Sequence, residues 1–171
     1  MSSSVRARLR ELLAIATVGV GTLSCSTPVE FRASFDMEPC NQHTKKLQSG
    51  FTVTSGDVNV VGGDCNNTPD FSTPTRAIDL DGASGSVTES DQTFPAGNYE
   101  LQFALAGHPF RPGTVLVQFG AFSKEYHLEA RQPFLKQSEH AIVDKPSRLK
   151  FTFSQPGGGG PTLDDVVVRS E

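Results

Sequence analysis

The chain has 171 residues and contains no tryptophan, two tyrosines and only three cysteines. The cysteines lack a CxxC spacing and the four histidines lack an HxxxH, which leaves too few ligands at workable separations for a structural zinc. Lys and Arg number 15 against 19 Asp and Glu, so nothing in the net charge of -4 attracts the chain to a phosphate backbone, and nucleic acid is excluded as a partner. No apolar run after residue 24 is long enough to cross a bilayer. Signature motifs are missing as well: there is no G-x-S-x-G elbow, HExxH, Walker loop, or GxGxxG after a strand. His43, His108, His127 and His140 are scattered over loops and strands, and any of them could meet a Ser or Asp in space. What is abundant is 16 Gly, 11 Pro and 12 Phe in a 36 % hydrophobic chain, a composition that supports one packed domain of short strands and tight turns.

Residues 1–24 read as an export signal, because Arg6, Arg8 and Arg10 precede a short apolar stretch from Leu12 to Leu23. Two cleavage readings stand. Thr22 and Ser24 are small residues where a general signal peptidase needs them, whereas Thr22-Leu23-Ser24-Cys25 is similar to a lipoprotein box with Thr22 in place of the usual aliphatic residue. In the second reading Cys25 carries a lipid anchor, which would be the chain's one attachment to a membrane. Residues 25–28 form a short linker to a domain spanning 29–169. Three cysteines in an exported protein leave one over, and either lipidation or removal of Cys25 leaves Cys40 and Cys65 to pair in an oxidising space. The alternative for those two is a pair of buried thiols.

Beyond the linker, apolar residues recur at period two, the mark of strands with one buried face. Val29, Phe31, Ala33 and Phe35 form a first strand, Phe51–Thr54 and Val58–Val61 a hairpin around Ser55-Gly56-Asp57, and Tyr99, Leu101, Phe103 and Leu105 the clearest strand of all. Pro109 and Pro112 end it. Val115–Phe119, Tyr126–Leu128, Leu149–Phe153 and Leu163–Val168 repeat the pattern, and with the short runs at 77–80 and 85–89 the count reaches nine or ten strands. No segment has a helical period. The class is all-β, a sandwich or barrel of antiparallel strands.

Gly157 to Gly160 read as a flexible turn, since no helix follows to make them a phosphate cradle. Asp79-Leu80-Asp81-Gly82 lacks the remaining acids of an EF-hand, and Asp81 beside Gly82 suits turn capping. A second set of acids lies at the two chain ends: Asp36 and Glu38 close the first strand, and Asp164 and Asp165 enter the last. If the terminal strands pair, these carboxylates would supply the oxygens a calcium ion needs; otherwise they are solvated edge acids.

Five motifs in chain order carry a resemblance: Ala33-Ser34-Phe35-Asp36, Gly50-Phe51 to Val58, Ala77-Ile78-Asp79-Leu80-Asp81-Gly82, Ala96-Gly97-Asn98-Tyr99 to His108, and Pro161-Thr162-Leu163-Asp164-Asp165 to Val168. Together they resemble the domain-of-unknown-function 642 family over roughly residues 29–169. The resemblance implies a galactose-binding-like jelly-roll β-sandwich of two antiparallel sheets. It also implies a non-catalytic, carbohydrate-binding surface module, exported to the cell envelope or beyond and associated with cell-wall or extracellular polysaccharide. Related jelly rolls hold a structural calcium through positions that match Asp36 and Asp164, with Asp36 standing where the family usually has Glu and Gly50-Phe51 where it has Gly-Trp. Sugars commonly stack on exposed rings. With no tryptophan and with Tyr99 on a core face, Tyr126 is the expected platform and Gln118 its hydrogen-bonding partner. Two rivals remain at this level, an adhesive or structural surface protein that binds another protein, and a polysaccharide-processing hydrolase built from a His and a carboxylate.

Overall fold

The computed structural model describes residues 30–65, 75–155 and 159–171. The expected export signal, Cys25 and the linker lie outside the described residues.

Eleven strands follow one another among the described residues: β1 Glu30–Ala33, β2 Phe51–Gly56, β3 Asn59–Gly62, β4 Arg76–Asp79, β5 Ser86–Ser90, β6 Gly97–Ala106, β7 Gly113–Phe119, β8 Phe122–Leu128, β9 Leu135–Val143, β10 Lys150–Phe153 and β11 Thr162–Ser170. They form two sheets, β3-β4-β11-β6-β9 with β1 also on β11, and β2-β5-β10-β7-β8. All strand pairs are antiparallel. Period two works as expected. In β7, Val115, Val117 and Phe119 are fully buried while Thr114, Leu116 and Gln118 face outward.

The space between the sheets is filled largely by phenylalanine. Phe51 meets Phe31 and Phe151 edge-on at 5.5 and 6.1 Å, Phe151 meets Phe103 at 5.4 Å, and Phe94 meets Phe119 at 5.0 Å. Edge-to-face pairs of this kind add about 0.5–1.5 kcal/mol each to the burial of the rings themselves.

The chain ends meet as expected. β1 pairs with the second half of β11, from Glu30 against Arg169 to Ala33 against Val166, while β4 takes the first half of the same edge. Cys40 and Cys65 are joined in a disulfide with Cα atoms 5.2 Å apart, tying the segment after β1 to the turn after β3.

Two strand expectations are corrected. Phe51–Gly56 and Asn59–Gly62 are not a hairpin: β2 pairs with β5 in one sheet and β3 with β4 in the other, so the chain changes sheets at Asp57 and Val58. Gly56 makes the corner with a φ of 68°, and a Cβ there would lie 1.9 Å from the Gly85 carbonyl oxygen. The second correction is β9, whose stretch from Lys136 to His140 is polar and has no strand alternation to detect. It exists because all nine residues pair with β6. As an edge strand it needs only one lined-up partner and little apolar surface of its own.

Candidate functional site

Tyr126 and Gln118 are not brought together. Tyr126 lies opposite Val115 on the core face of β8, 7 % exposed, with its ring edge-on to Phe103 at 5.2 Å. Its hydroxyl donates to Glu139 at 2.8 Å, and burial, reinforced by that carboxylate, pushes the phenol well above its ordinary range. Gln118 is on the opposite, outward face of the same sheet, in a row with Lys150 and Ser123. The expected platform is therefore corrected: the Tyr126 ring is a core element locking β8 to β9 and has no face free for a ligand.

The chain-end acids separate into different roles. Glu38 is buried away from the others and accepts the Ser49 N–H at 2.6 Å. Asp36 accepts the Ser34 hydroxyl at 2.6 Å and the Arg76 N–H at 3.2 Å. Asp164 is 7 % exposed at the start of a β-bulge where β11 slips register against β6 and Asp165 takes a φ of 52°. The Asp164 carboxylate accepts the Thr75 hydroxyl at 3.3 Å and the Asp165 N–H at 2.8 Å. Its pKa is pushed up to about 6, chiefly by desolvation and further by the negative charges of Asp165 and Asp36. Asp36 and Asp164 are thus close enough to repel, and with the Thr75 hydroxyl they present hard oxygen donors of the kind a calcium ion takes. A cation there would relieve the repulsion. The one cluster of three metal-ligating side chains among the described residues, Cys40, Asp64 and Cys65, has both sulfurs committed to the disulfide.

A third cluster forms where the loops β4–β5, β6–β7, β8–β9 and β10–β11 gather at one end of the sandwich. Asp81 is fully buried; it accepts the Gly85 N–H at 2.6 Å, the turn cap expected of it, and pairs with the Arg111 guanidinium at 2.8 Å. Arg111 also donates to the Gly159 carbonyl at 2.8 Å through Nε. Gly159 and Gly160 are buried and held in place, a correction for that half of the flexible turn expected there; Gly157 and Gly158 lie outside the described residues. The φ of Gly159 is 111° and a Cβ on it would lie 2.3 Å from His108 Nε2, so this close approach requires glycine. His108 Nδ1 accepts the Phe110 N–H at 3.2 Å, and the imidazole pKa is lowered first by burial and then by the Arg111 charge, against the opposing pull of Asp81. Phe110 itself projects outward and is 68 % exposed, with the His108 ring edge-on behind it at 5.6 Å. Arg131, at a φ of 62°, donates its backbone N–H to the His108 carbonyl at 2.9 Å and its Nε to the Pro109 carbonyl at 3.1 Å.

Asp79 underlies this end of the sandwich. One oxygen accepts the N–H groups of Asp81 at 2.9 Å and Gly160 at 2.7 Å, and desolvation drives the carboxyl up to about 7 against a reference of 3.8. The folded state therefore holds a proton that the unfolded chain releases. That contribution to stability is complete below about pH 4 and is lost as pH rises towards 7, with a slope of at most about 1.4 kcal/mol per pH unit for one proton. Asp79→Asn keeps the accepting oxygen and removes the titration. Urea midpoints from pH 4 to 8 should accordingly show the variant gaining on the parent as pH rises; a constant difference between the two would refute the assignment.

No family model matches the chain, and no curated protein is similar to it. Similarity appears among solved structures. The Clostridium thermocellum endo-1,4-β-D-xylanase 10B, as its CBM22-1 and GH10 modules complexed with xylohexaose, superposes with a TM-score of 0.51 at 9 % identity over 82 % of this chain. This chain spans only 28 % of that one. A family 35 carbohydrate-binding module from Clostridium thermocellum aligns over 85 % of this chain and all of its own, at 13 % identity and a TM-score of 0.48. A family 29 module from Piromyces equi gives 0.48 at 11 % identity, covering 85 % of this chain and 92 % of its own. The fold is a jelly-roll β-sandwich of two antiparallel sheets.

Several clefts open among the described residues of this jelly roll, and two surfaces bear most directly on ligand binding. One is a groove of about 410 Å3 on the outer face of the six-stranded sheet, lined by Arg32, Gln102, Lys136, Ser138, Asp165 and Arg169. Its charges largely answer one another, Lys136 to Asp165 at 3.9 Å and Arg169 to Glu100 at 3.5 Å, and Phe103 beneath it is 1 % exposed and turned to the core. The other is the loop end, where Phe110 is the one exposed aromatic ring among the described residues. Sequence reasoning missed Phe110. The available signal was its position between Pro109 and Pro112, where a strand cannot continue and a phenylalanine has no core face to join.

Proposed function

We propose that the protein is an exported, non-catalytic carbohydrate-binding module of the cell surface that holds polysaccharide at its loop end, with Phe110 as the stacking ring. The observation that carries this reading is the exposure of Phe110 on a loop held from behind by His108, Arg131 and the buried Arg111–Asp81 pair. A solvent-exposed ring backed from behind is what the apolar face of a sugar needs for stacking. The jelly-roll fold and the five motifs that resemble the domain-of-unknown-function 642 family support the same reading, and the expected export signal would deliver the module to where polysaccharide is found. A hydrolase would need a carboxylate pair open to substrate. Here Asp79 and Asp81 are 3 % and 0 % exposed, beneath the loops.

Phe110→Ala is expected to weaken retention on the preferred polysaccharide about tenfold or more, equivalent to roughly 1.4 kcal/mol, with little change in melting temperature because the ring is mostly in solvent. Affinity electrophoresis across a panel of soluble polysaccharides measures it. Unchanged retention would remove Phe110 from the site, and no retention on any polysaccharide would favour a module that binds another protein.

The reading includes a structural calcium held by Asp36 and Asp164, with the Thr75 hydroxyl beside them. Calcium should raise the melting temperature relative to chelator by several degrees, and Asp36→Ala or Asp164→Ala should abolish the difference. An equal response in the variants would place any calcium elsewhere.

A further inference from the structure

We infer that the polysaccharide held at Phe110 is acidic, and that Arg131 reads the carboxylate of a uronate residue stacked on the ring; this rests on the carbohydrate reading of the loop end. Arg131 is the charged side chain most tightly built into the Phe110 loop from outside. Its backbone N–H and its Nε close onto the carbonyls of His108 and Pro109, the two residues that precede the ring. With Nε used in this way, the planar head is anchored at the Pro109 carbonyl, one residue before Phe110, and its two terminal nitrogens have no hydrogen bond and no ion pair among the described residues. Arg111, the other arginine of the loop, is committed to Asp81 and to the Gly159 carbonyl.

The backbone of Arg131 adds a second observation. Its φ of 62° is a conformation that glycine or asparagine adopts at little cost, and an arginine there carries about 1 kcal/mol of strain that the turn alone does not require. Holding a long cation in that conformation against an exposed ring makes sense if the head has a partner to meet. A guanidinium with two parallel N–H donors fits a carboxylate bidentately, and the Arg131 head, held at the residue before Phe110, would meet the carboxylate of a sugar lying on that ring. Glu129 is the acid nearest in sequence; it is exposed and makes no ion pair with Arg131. The rest of the molecule opposes a polyanion, since the formal charge is -4, so any preference for acidic glycan must come from this one locally placed fork.

The test compares three soluble oligosaccharides of equal length by titration calorimetry with the purified protein at low and moderate salt: a uronate oligomer, its methyl ester and a neutral oligomer. The expected result is at least tenfold tighter binding of the uronate than of its ester, diminished by salt. Arg131→Met should bind acid and ester equally, Arg131→Lys should keep part of the preference, and Phe110→Ala should lose both ligands. Unchanged melting temperatures would show that the variants are folded. Equal affinity of the parent for acid and ester, or a preference that survives Arg131→Met, would overturn the inference while leaving the carbohydrate reading standing on Phe110→Ala. Failure of the parent to bind any of the three would overturn both.

Discussion

Arg111→Ala should be among the most destabilising single substitutions in the domain, lowering unfolding free energy by about 3 kcal/mol, the lower end of the range for breaking a buried ion pair. The Asp81 side chain is fully buried and the Arg111 side chain 27 % exposed, so removing the arginine strands a carboxylate with the Gly85 N–H as its remaining charge-relieving contact. Water can reach part of the vacated space, which is why the lower end applies. The Gly159 carbonyl loses its donor in the same step, loosening the segment that packs on His108 and, through it, on Phe110. In thermal unfolding the loss corresponds to a fall of roughly 10 °C for a domain of this size. Asp81→Asn combined with Arg111→Met removes both charges and should recover more than half of the loss, because neither partner is then left buried and charged. A fall below about 1 kcal/mol for Arg111→Ala would mean that Asp81 is not dependent on its partner.

The second large effect is expected from the disulfide. Replacing both Cys40 and Cys65 by serine should cost about 3.5 kcal/mol in the chain-entropy treatment of a closed loop this long, the sequence separation being 25. The closed loop contains β2 and β3, which lie in different sheets, so the bridge restrains a segment whose parts have no hydrogen-bonded ladder in common. It also anchors the stretch between β1 and β2, together with the isolated bridges of Thr44 to Val58 and Lys46 to Thr52, the hydrogen bonds of Asp36 and Glu38, and the buried Phe35 and Leu47. Chemical denaturation of the double serine variant measures the cost. A loss under 1 kcal/mol would show that the unfolded chain is already constrained there by other means.

The pairing of Cys40 with Cys65 was legible because, on the expectation of export with Cys25 lipidated or removed, just one pair of cysteines remains. So was the pairing of the end strands, β1 with β11, with Asp36 shortly after the first and Asp164 in the second. The Tyr126 platform was not. Alternation in β8 is obscured by Ser123, Lys124 and Glu125, so the sequence offers no way to say which face Tyr126 takes; the register with Val115 decides it. Phe110 shows the complementary difficulty, since its exposure depends on loops from four distant parts of the chain closing behind it. Gly159 and Gly160 looked like a flexible run for a similar reason: glycine composition is the same in a loose turn and in a segment that must pass within contact distance of an imidazole.

Taken alone, the sequence determined the all-β class, the inward face of most strands and the partners of the disulfide, because these depend on period two, on turn chemistry and on counting, all of which are local. Only the tertiary structure decided that β2 and β3 part into different sheets, that a polar stretch becomes the edge strand β9, that Tyr126 is core and that Phe110 and Arg131 stand together at the loop end. The physical reason is that alternation tells a residue which side of its strand it occupies. Which sheet that strand joins, and what the neighbouring loops cover or leave in water, is set by contacts between residues far apart in the chain.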